Sequence, residues 1–243
     1  MTPELEQFYQ LTPSQRQTRL QAAILRGHAY HYERNAAYRL TLQGRGVSQQ
    51  VALENFAHLL RPSALTFKSY AELMGPFPQE QPLRFLSWLN HQLSIPLPEE
   101  RWSRLRPRYR NLEGLLQAVE QLYADLGIEI VTSSGTSGRA SFVVRNGLTV
   151  QLALSAFFSG IAQAWDIRRG TALVFMMPAE TRVAMARTAR LGTNTLNWMD
   201  DAPVHYTIPF AATPDMIRIR AGRTYHPGLE LSLIHISEPT RPY

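Results

Sequence analysis

The chain has 243 residues, 44% of them hydrophobic, no cysteine and a formal net charge of +6. That length allows one large domain or two small ones with a real core. The missing cysteine excludes a disulfide framework and thiolate chemistry, and no apolar run is long enough to be read as a membrane span.

The basic side chains are nearly all arginine, Lys68 being the only lysine. A positive balance suits nucleic acid and smaller polyanions equally, so charge alone does not choose between them. The opening Met1-Thr2-Pro3-Glu4-Leu5-Glu6 is acidic and polar, unlike a signal peptide, and a soluble cytoplasmic protein is expected.

Thr12-Pro13 is a helix start, a hydroxyl cap followed by proline at the first helical position. Leu20, Ile24, Gly27, His31, Asn35, Tyr38 and Leu42 then fall on one face at helical spacing. His28 and His31 sit one turn apart, but no third ligand of matching spacing accompanies them. The aromatic-rich stretch 28–38 therefore reads as a packing face rather than a metal site. Ser48 is placed to cap a further helix with Val51, Phe56, Leu59 and Leu60 buried, ended by Arg61-Pro62. Leu65 to Tyr70 reads as a short extended piece, and Pro76, Pro78 and Pro82 mark a loop. Leu83, Leu86, Leu89, Asn90 and Leu93 mark another helix, closed by Pro96 and Pro98.

Residues 1–98 thus form a mainly helical region, and 99–230 read as α/β. The second region opens with Arg101, Arg104, Arg106, Arg108 and Arg110 interleaved with Trp102 and Tyr109. A single-stranded nucleic acid site uses that combination; so does an exposed turn, and Pro107 breaks the run. Asn111 then caps the clearest helix, with Leu112, Leu115, Leu116, Val119, Leu122, Tyr123 and Leu126 at helical period and Gly127 as its stop. Ile128, Ile130 and Val131 read as one strand, and Phe142, Val143 and Val144 as the next. Leu148 to Trp165 reads as a long apolar helix, Ala172 to Met177 as a buried strand ended by Pro178, and Thr181 to Leu191 as a helix. After Thr193 the pattern weakens. Trp198-Met199-Asp200-Asp201 defines no reaction, and Ile217 to Arg220 alternates like an edge strand. Alternation of strands and helices gives the class as α/β, a helical N-terminal region followed by a mixed sheet flanked by helices.

Between the first two strands, in the stretch 131–141, lies Thr132-Ser133-Ser134-Gly135-Thr136-Ser137-Gly138-Arg139. Five serine or threonine hydroxyls and two glycines in succession can turn several donors toward one centre, and a phosphate suits that arrangement. A plain hairpin turn has the same composition. The loop is not a P-loop: no Gly-Lys-Ser/Thr follows, and the chain returns into a strand rather than a helix. No Ser-His-Asp arrangement, HExxH, dinucleotide fingerprint or metal-ligand spacing occurs elsewhere, and no catalytic residue is assigned.

TSSGTSG resembles the phosphate-binding signature of the adenylate-forming ligases, usually TSSGTTG or TSGTTG. The similarity is nearest to the phenylacetate–coenzyme A ligases and the acyl-protein synthetases of bacterial bioluminescence; plant-type acyl-amido synthetases share the SSGTS core. The resemblance implies that Thr132, Ser133, Ser134, Gly135, Thr136, Ser137 and Gly138 hold the ATP phosphates. Arg139 stands where a lysine is usual. It implies ATP and Mg²⁺, activation of a carboxylic acid as acyl-adenylate, and transfer to a thiol or amine acceptor such as coenzyme A. Met176, Met177 and Pro178 would help wall the acyl pocket. The family's adenine, metal and mobile-lysine motifs are absent before Glu230. Residues 231–243 resemble a translated sequencing-library adapter, so the expectation is a truncated part of the large adenylating domain that is inactive by itself. The alternative is a non-enzymatic nucleic-acid-binding protein that uses the Arg101–Arg110 patch.

Overall fold

The computed structural model describes residues 3–62, 66–133, 139–147, 156, 160–161, 164–165, 171–184, 186–187, 204–208 and 210–216, with side chains placed from residue 7 onward except at 53–55. Ser134 to Gly138, most of the helix expected over Leu148 to Trp165, Trp198 to Asp201 and Ile217 to Arg220 lie outside the described residues.

The class is mixed α/β. Helices α1 (Pro3–Gln10), α2 (Pro13–Arg34), α3 (Ala36–Gln43), α4 (Tyr70–Met74), α5 (Pro82–His91) and α6 (Leu112–Leu122) precede strands β1 (Ile128–Thr132), β2 (Phe142–Asn146), β3 (Leu173–Pro178) and β4 (Val204–Ile208). Among the described residues, no helix is long and apolar enough to cross a membrane.

Helix α2 begins where its cap signal lies. The Thr12 hydroxyl accepts from the Gln15 amide at 3.3 Å while the Gln15 side chain accepts from the Thr12 amide at 2.9 Å, a reciprocal capping box with Pro13 at the first helical position. The expected single stripe does not continue, because Asn35 leaves helical geometry, ends α2 and caps α3 by accepting from Tyr38 N at 2.8 Å. Leu20 and Ile24 are exposed, and His28 takes the buried position on α2.

Three further expectations are corrected. Ser48 caps no helix: its hydroxyl donates to the Gln50 carbonyl. The helix that follows is a 3₁₀ element, Leu53–Leu59, without a side-chain cap. A 3₁₀ turn eclipses residues three apart, so the 3.6-residue stripe does not hold there and Leu60 faces solvent. Of the piece Leu65 to Tyr70, the described residues Thr66 to Tyr70 are not extended. Thr66 and Phe67 are helical, and Tyr70 opens α4 fully buried, tertiary packing overriding its strand preference. Finally, β3 is not a buried strand, since Val174 and Met176 on one face are exposed.

The core lies between α5, α6 and the inner face of the β1–β2 hairpin. Tyr70, Phe85, Leu86, Leu89, Leu112, Leu115, Leu116, Val119, Ile130 and Phe142 are all at most 2% exposed. Each such side chain contributes about 1.5–3 kcal/mol relative to leaving it in water. The Phe142 ring lies 4.7 Å from Tyr70, 5.2 Å from Phe85 and 6.2 Å from Trp88, edge-on or tilted. This cluster draws on both sides of residue 98. Gly75, at φ 77°, stops α4, and Gly127, at φ 61°, turns the chain from α6 into β1, conformations that favour glycine.

β1 and β2 pair antiparallel, Thr132 opposite Phe142, whereas β3 and β4 pair parallel. The chain after β3 returns beside the hairpin, with Thr132 bridged in parallel to Val183 and Thr181 to Ala212. Strand β4 has no counterpart among the expected elements, although Val204, Tyr206 and Ile208 alternate with polar residues.

Candidate functional site

The hydroxyl-rich loop leaves the sheet at Thr132 and returns at Phe142. Its neck is closed by a pair of hydrogen bonds. Ser133 N donates to the Ser141 carbonyl at 3.1 Å, and Ser141 N donates to Ser133 Oγ at 2.9 Å. The Ser133 hydroxyl keeps its own hydrogen to donate. Thr132 is 1% exposed, and its Oγ1 has no hydrogen-bond partner among the described residues. Leaving a hydroxyl buried and unpaired costs about 1–3 kcal/mol, so this atom needs a reason to be there.

Where the chain comes back, Ala140 is fully buried and its carbonyl accepts from the Tyr70 hydroxyl at 3.1 Å. Arg139 beside it is exposed, with Glu72 Oε1 4.0 Å from its guanidinium. The described part of the loop therefore holds a buried unpaired hydroxyl at its entry and a solvent-facing guanidinium at its exit. Hydroxyls and a guanidinium are donors that fit phosphate oxygens. Mg²⁺ is usually held by phosphate oxygens and water with one or two carboxylates, and Glu72 is a carboxylate placed next to the loop. Among the described residues, no three His, Asp or Glu side chains are grouped to hold a metal by themselves.

Of the acyl-wall residues, Met176 is 85% exposed, while Met177 and Pro178 are half-buried at the end of β3. The segment that follows brings in a residue the sequence did not flag. Arg182 is buried, its Nε 2.6 Å from Glu113 Oε1 and its Nη1 2.6 Å from Glu120 Oε1. Nη1 also donates to the Ile130 carbonyl at 3.2 Å. Burial pulls the Arg182 pKa down, but the hydrogen bond it donates to Glu120 and the charges of both glutamates outweigh it and hold the guanidinium above its ordinary value. Asp215, also buried, accepts from the amides of Leu112 and Glu113 at 3.3 and 3.2 Å, an anion at the N-terminus of α6. Glu113 and Glu120 share a face of α6, which the sequence shows. Nothing in the sequence around Arg182 announces that it turns inward.

Two arginines of the stretch are paired with carboxylates, while Arg104, Arg106, Arg108 and Arg110 are exposed. Arg101 makes a two-pronged pair with Asp125 at 2.6 and 2.9 Å, and Arg108 meets Glu80 at 2.9 Å. Trp102 and Tyr109 are partly buried against the core cluster rather than displayed for base stacking. At the other end of the chain His28 is held by Tyr38 Oη and the Ser48 carbonyl, each at 3.0 Å, and His31 by Ser94 Oγ at 2.6 Å. Both histidines are thereby accounted for as packing and hydrogen-bonding groups.

Comparison with known proteins found no matching family model, no matching curated protein and no matching solved structure.

Proposed function

We propose that the loop from Thr132 to Arg139 binds the phosphates of ATP, and that the chain is part of an adenylate-forming ligase. Such an enzyme activates a carboxylic acid as its acyl-adenylate and passes the acyl group to a thiol or amine acceptor such as coenzyme A. The observation that carries the reading is the buried, unpartnered Thr132 hydroxyl at the neck of a hydroxyl-rich strand–loop–strand unit. A phosphate oxygen accepting from it would relieve an otherwise uncompensated cost. Arg139 supplies the positive charge at the other side, its fork suited to two oxygens at once.

In this reading the chain's own groups bind and orient. Thr132, Ser133, Ser134, Thr136 and Ser137 donate to the phosphates, Gly135 and Gly138 let the backbone approach them, and Arg139 stabilises the charge that develops on the departing pyrophosphate. Mg²⁺, when bound, would neutralise charge on the phosphate oxygens, and Glu72, beside Arg139, is a carboxylate placed to help hold it. Met177 and Pro178 at the end of β3 would wall the acid. The test is acid-dependent exchange of labelled pyrophosphate into ATP by the complete ligase of which this chain would be a part, across a panel of aryl and alkyl carboxylates. Exchange with one class of acid supports the reading and names the substrate; ATP-independent binding of single-stranded nucleic acid, lost on charge reversal at Arg104 and Arg108, would replace it.

A further inference from the structure

Two contacts outside the hydroxyl loop decide where its ends stand. Tyr70 holds the exit through the Ala140 carbonyl. The entry is held by Arg182: Thr132 N donates to the Arg182 carbonyl at 2.8 Å, in parallel pairing with Val183. The Arg182 side chain is itself anchored. Its guanidinium is enclosed by Glu113, Glu120 and the Ile130 carbonyl, at 2.6, 2.6 and 3.2 Å. Glu120 Oε1 also accepts from the Ile130 amide at 2.7 Å, so the same carboxylate grips β1 and the arginine together.

We propose that Arg182 is the positioning residue of the loop, fixing α6, β1 and the segment after β3 so that Thr132 and Ser133 present their donors in one register. The inference rests on the phosphate-binding reading. The guanidinium is too enclosed to meet a ligand itself, and it acts through the Thr132 amide. An apolar side chain of similar size would fill the space, but only a planar fork with several donors can fix two carboxylates and a strand carbonyl in a single geometry.

The experiment compares the full chain with Arg182→Lys, Arg182→Met and Glu113→Gln, reading amide hydrogen exchange without ligand and the affinity for Mg·ATP. In Arg182→Met, protection of the Thr132 amide is expected to fall by about tenfold or more, while Phe85, Leu86 and Leu116 in the core keep theirs, because local opening is separable from global unfolding. Affinity for ATP falls about tenfold alongside it. Arg182→Lys, which keeps the charge without the fork, lies between. If Arg182→Met does not fold, Glu113→Gln decides, with a loss of Thr132 protection of about threefold or more expected. Unchanged Thr132 protection in a folded variant overturns the proposal. So does an equal loss across the core, or a loss at Thr132 that leaves ATP affinity untouched. Failure of the unsubstituted chain to bind ATP overturns the nucleotide reading and the ligand-directed part of this proposal. The exchange data still decide whether Arg182 sets the loop's entry.

Discussion

The hairpin core and the α2–α3 pair are held by different forces. Around Phe142, aromatic and leucine side chains from α4, α5, α6 and both strands close on one another with almost no exposed surface. Around His28, edge-on ring contacts with Tyr32 and Tyr38 are joined by hydrogen bonds. His28 bridges Tyr38 and the Ser48 carbonyl, Asn35 donates to the Gln92 carbonyl at 3.0 Å, and Arg39 donates to the Tyr32 and Glu33 carbonyls at the end of α2. The apolar residues that periodicity would bury, Leu20 and Ile24, face solvent. Periodicity finds the first kind of packing; the second is built from caps and specific hydrogen bonds, which spacing does not reveal.

That contrast can be broken at several points. Phe142→Ala removes the ring that touches Tyr70, Phe85 and Trp88, and should cost about 3–5 kcal/mol in chemical denaturation, one of the largest single effects in the described residues. His28→Ala leaves the Tyr38 hydroxyl and the Ser48 carbonyl without their partner, and should cost about 1–3 kcal/mol. If His28→Ala proved costlier than Phe142→Ala, the division into an apolar and a polar half would be wrong. Thr12→Ala deletes one arm of the capping box at a cost of about 1 kcal/mol, read as earlier loss of helix by circular dichroism. Ile24→Ser, at an exposed site, should change stability by no more than about 0.5 kcal/mol.

The polar half should also respond to acid. Burial first, and the charge of His28 second, hold the His31 pKa below its ordinary value. The unfolded chain then binds the proton more readily than the folded one. Stability therefore falls as pH drops through 6.5, His31's unperturbed value, and continues to fall until the lowered folded pKa is passed. His31 is exposed on one side, so the effect is small, and His31→Asn should flatten the denaturation midpoint across that range.

Much of the central architecture was legible. Asn111 and Gly127 bracket α6 and the turn after it, and the two strands around the loop fall where β-type residues cluster. What escaped has a physical cause in each case. Tyr70 is helical because its ring is needed between Trp88 and Phe142, a demand made from far along the chain. Asn35 breaks a stripe that apolar spacing would carry through. At the site, the hydroxyl run was visible as composition. The anchor that fixes its entry was not, since Arg182 meets Glu113 and Glu120 only through the fold.

The most direct test of the central claim is equilibrium binding of Mg·ATP to the chain and to the double variant Ser134→Ala with Thr136→Ala. Loss of affinity by about tenfold or more in the variant, with the denaturation midpoint unchanged, is the result expected of a phosphate-holding loop. Equal affinity in the two proteins, or none in either, would contradict the account and leave the loop a turn between two strands.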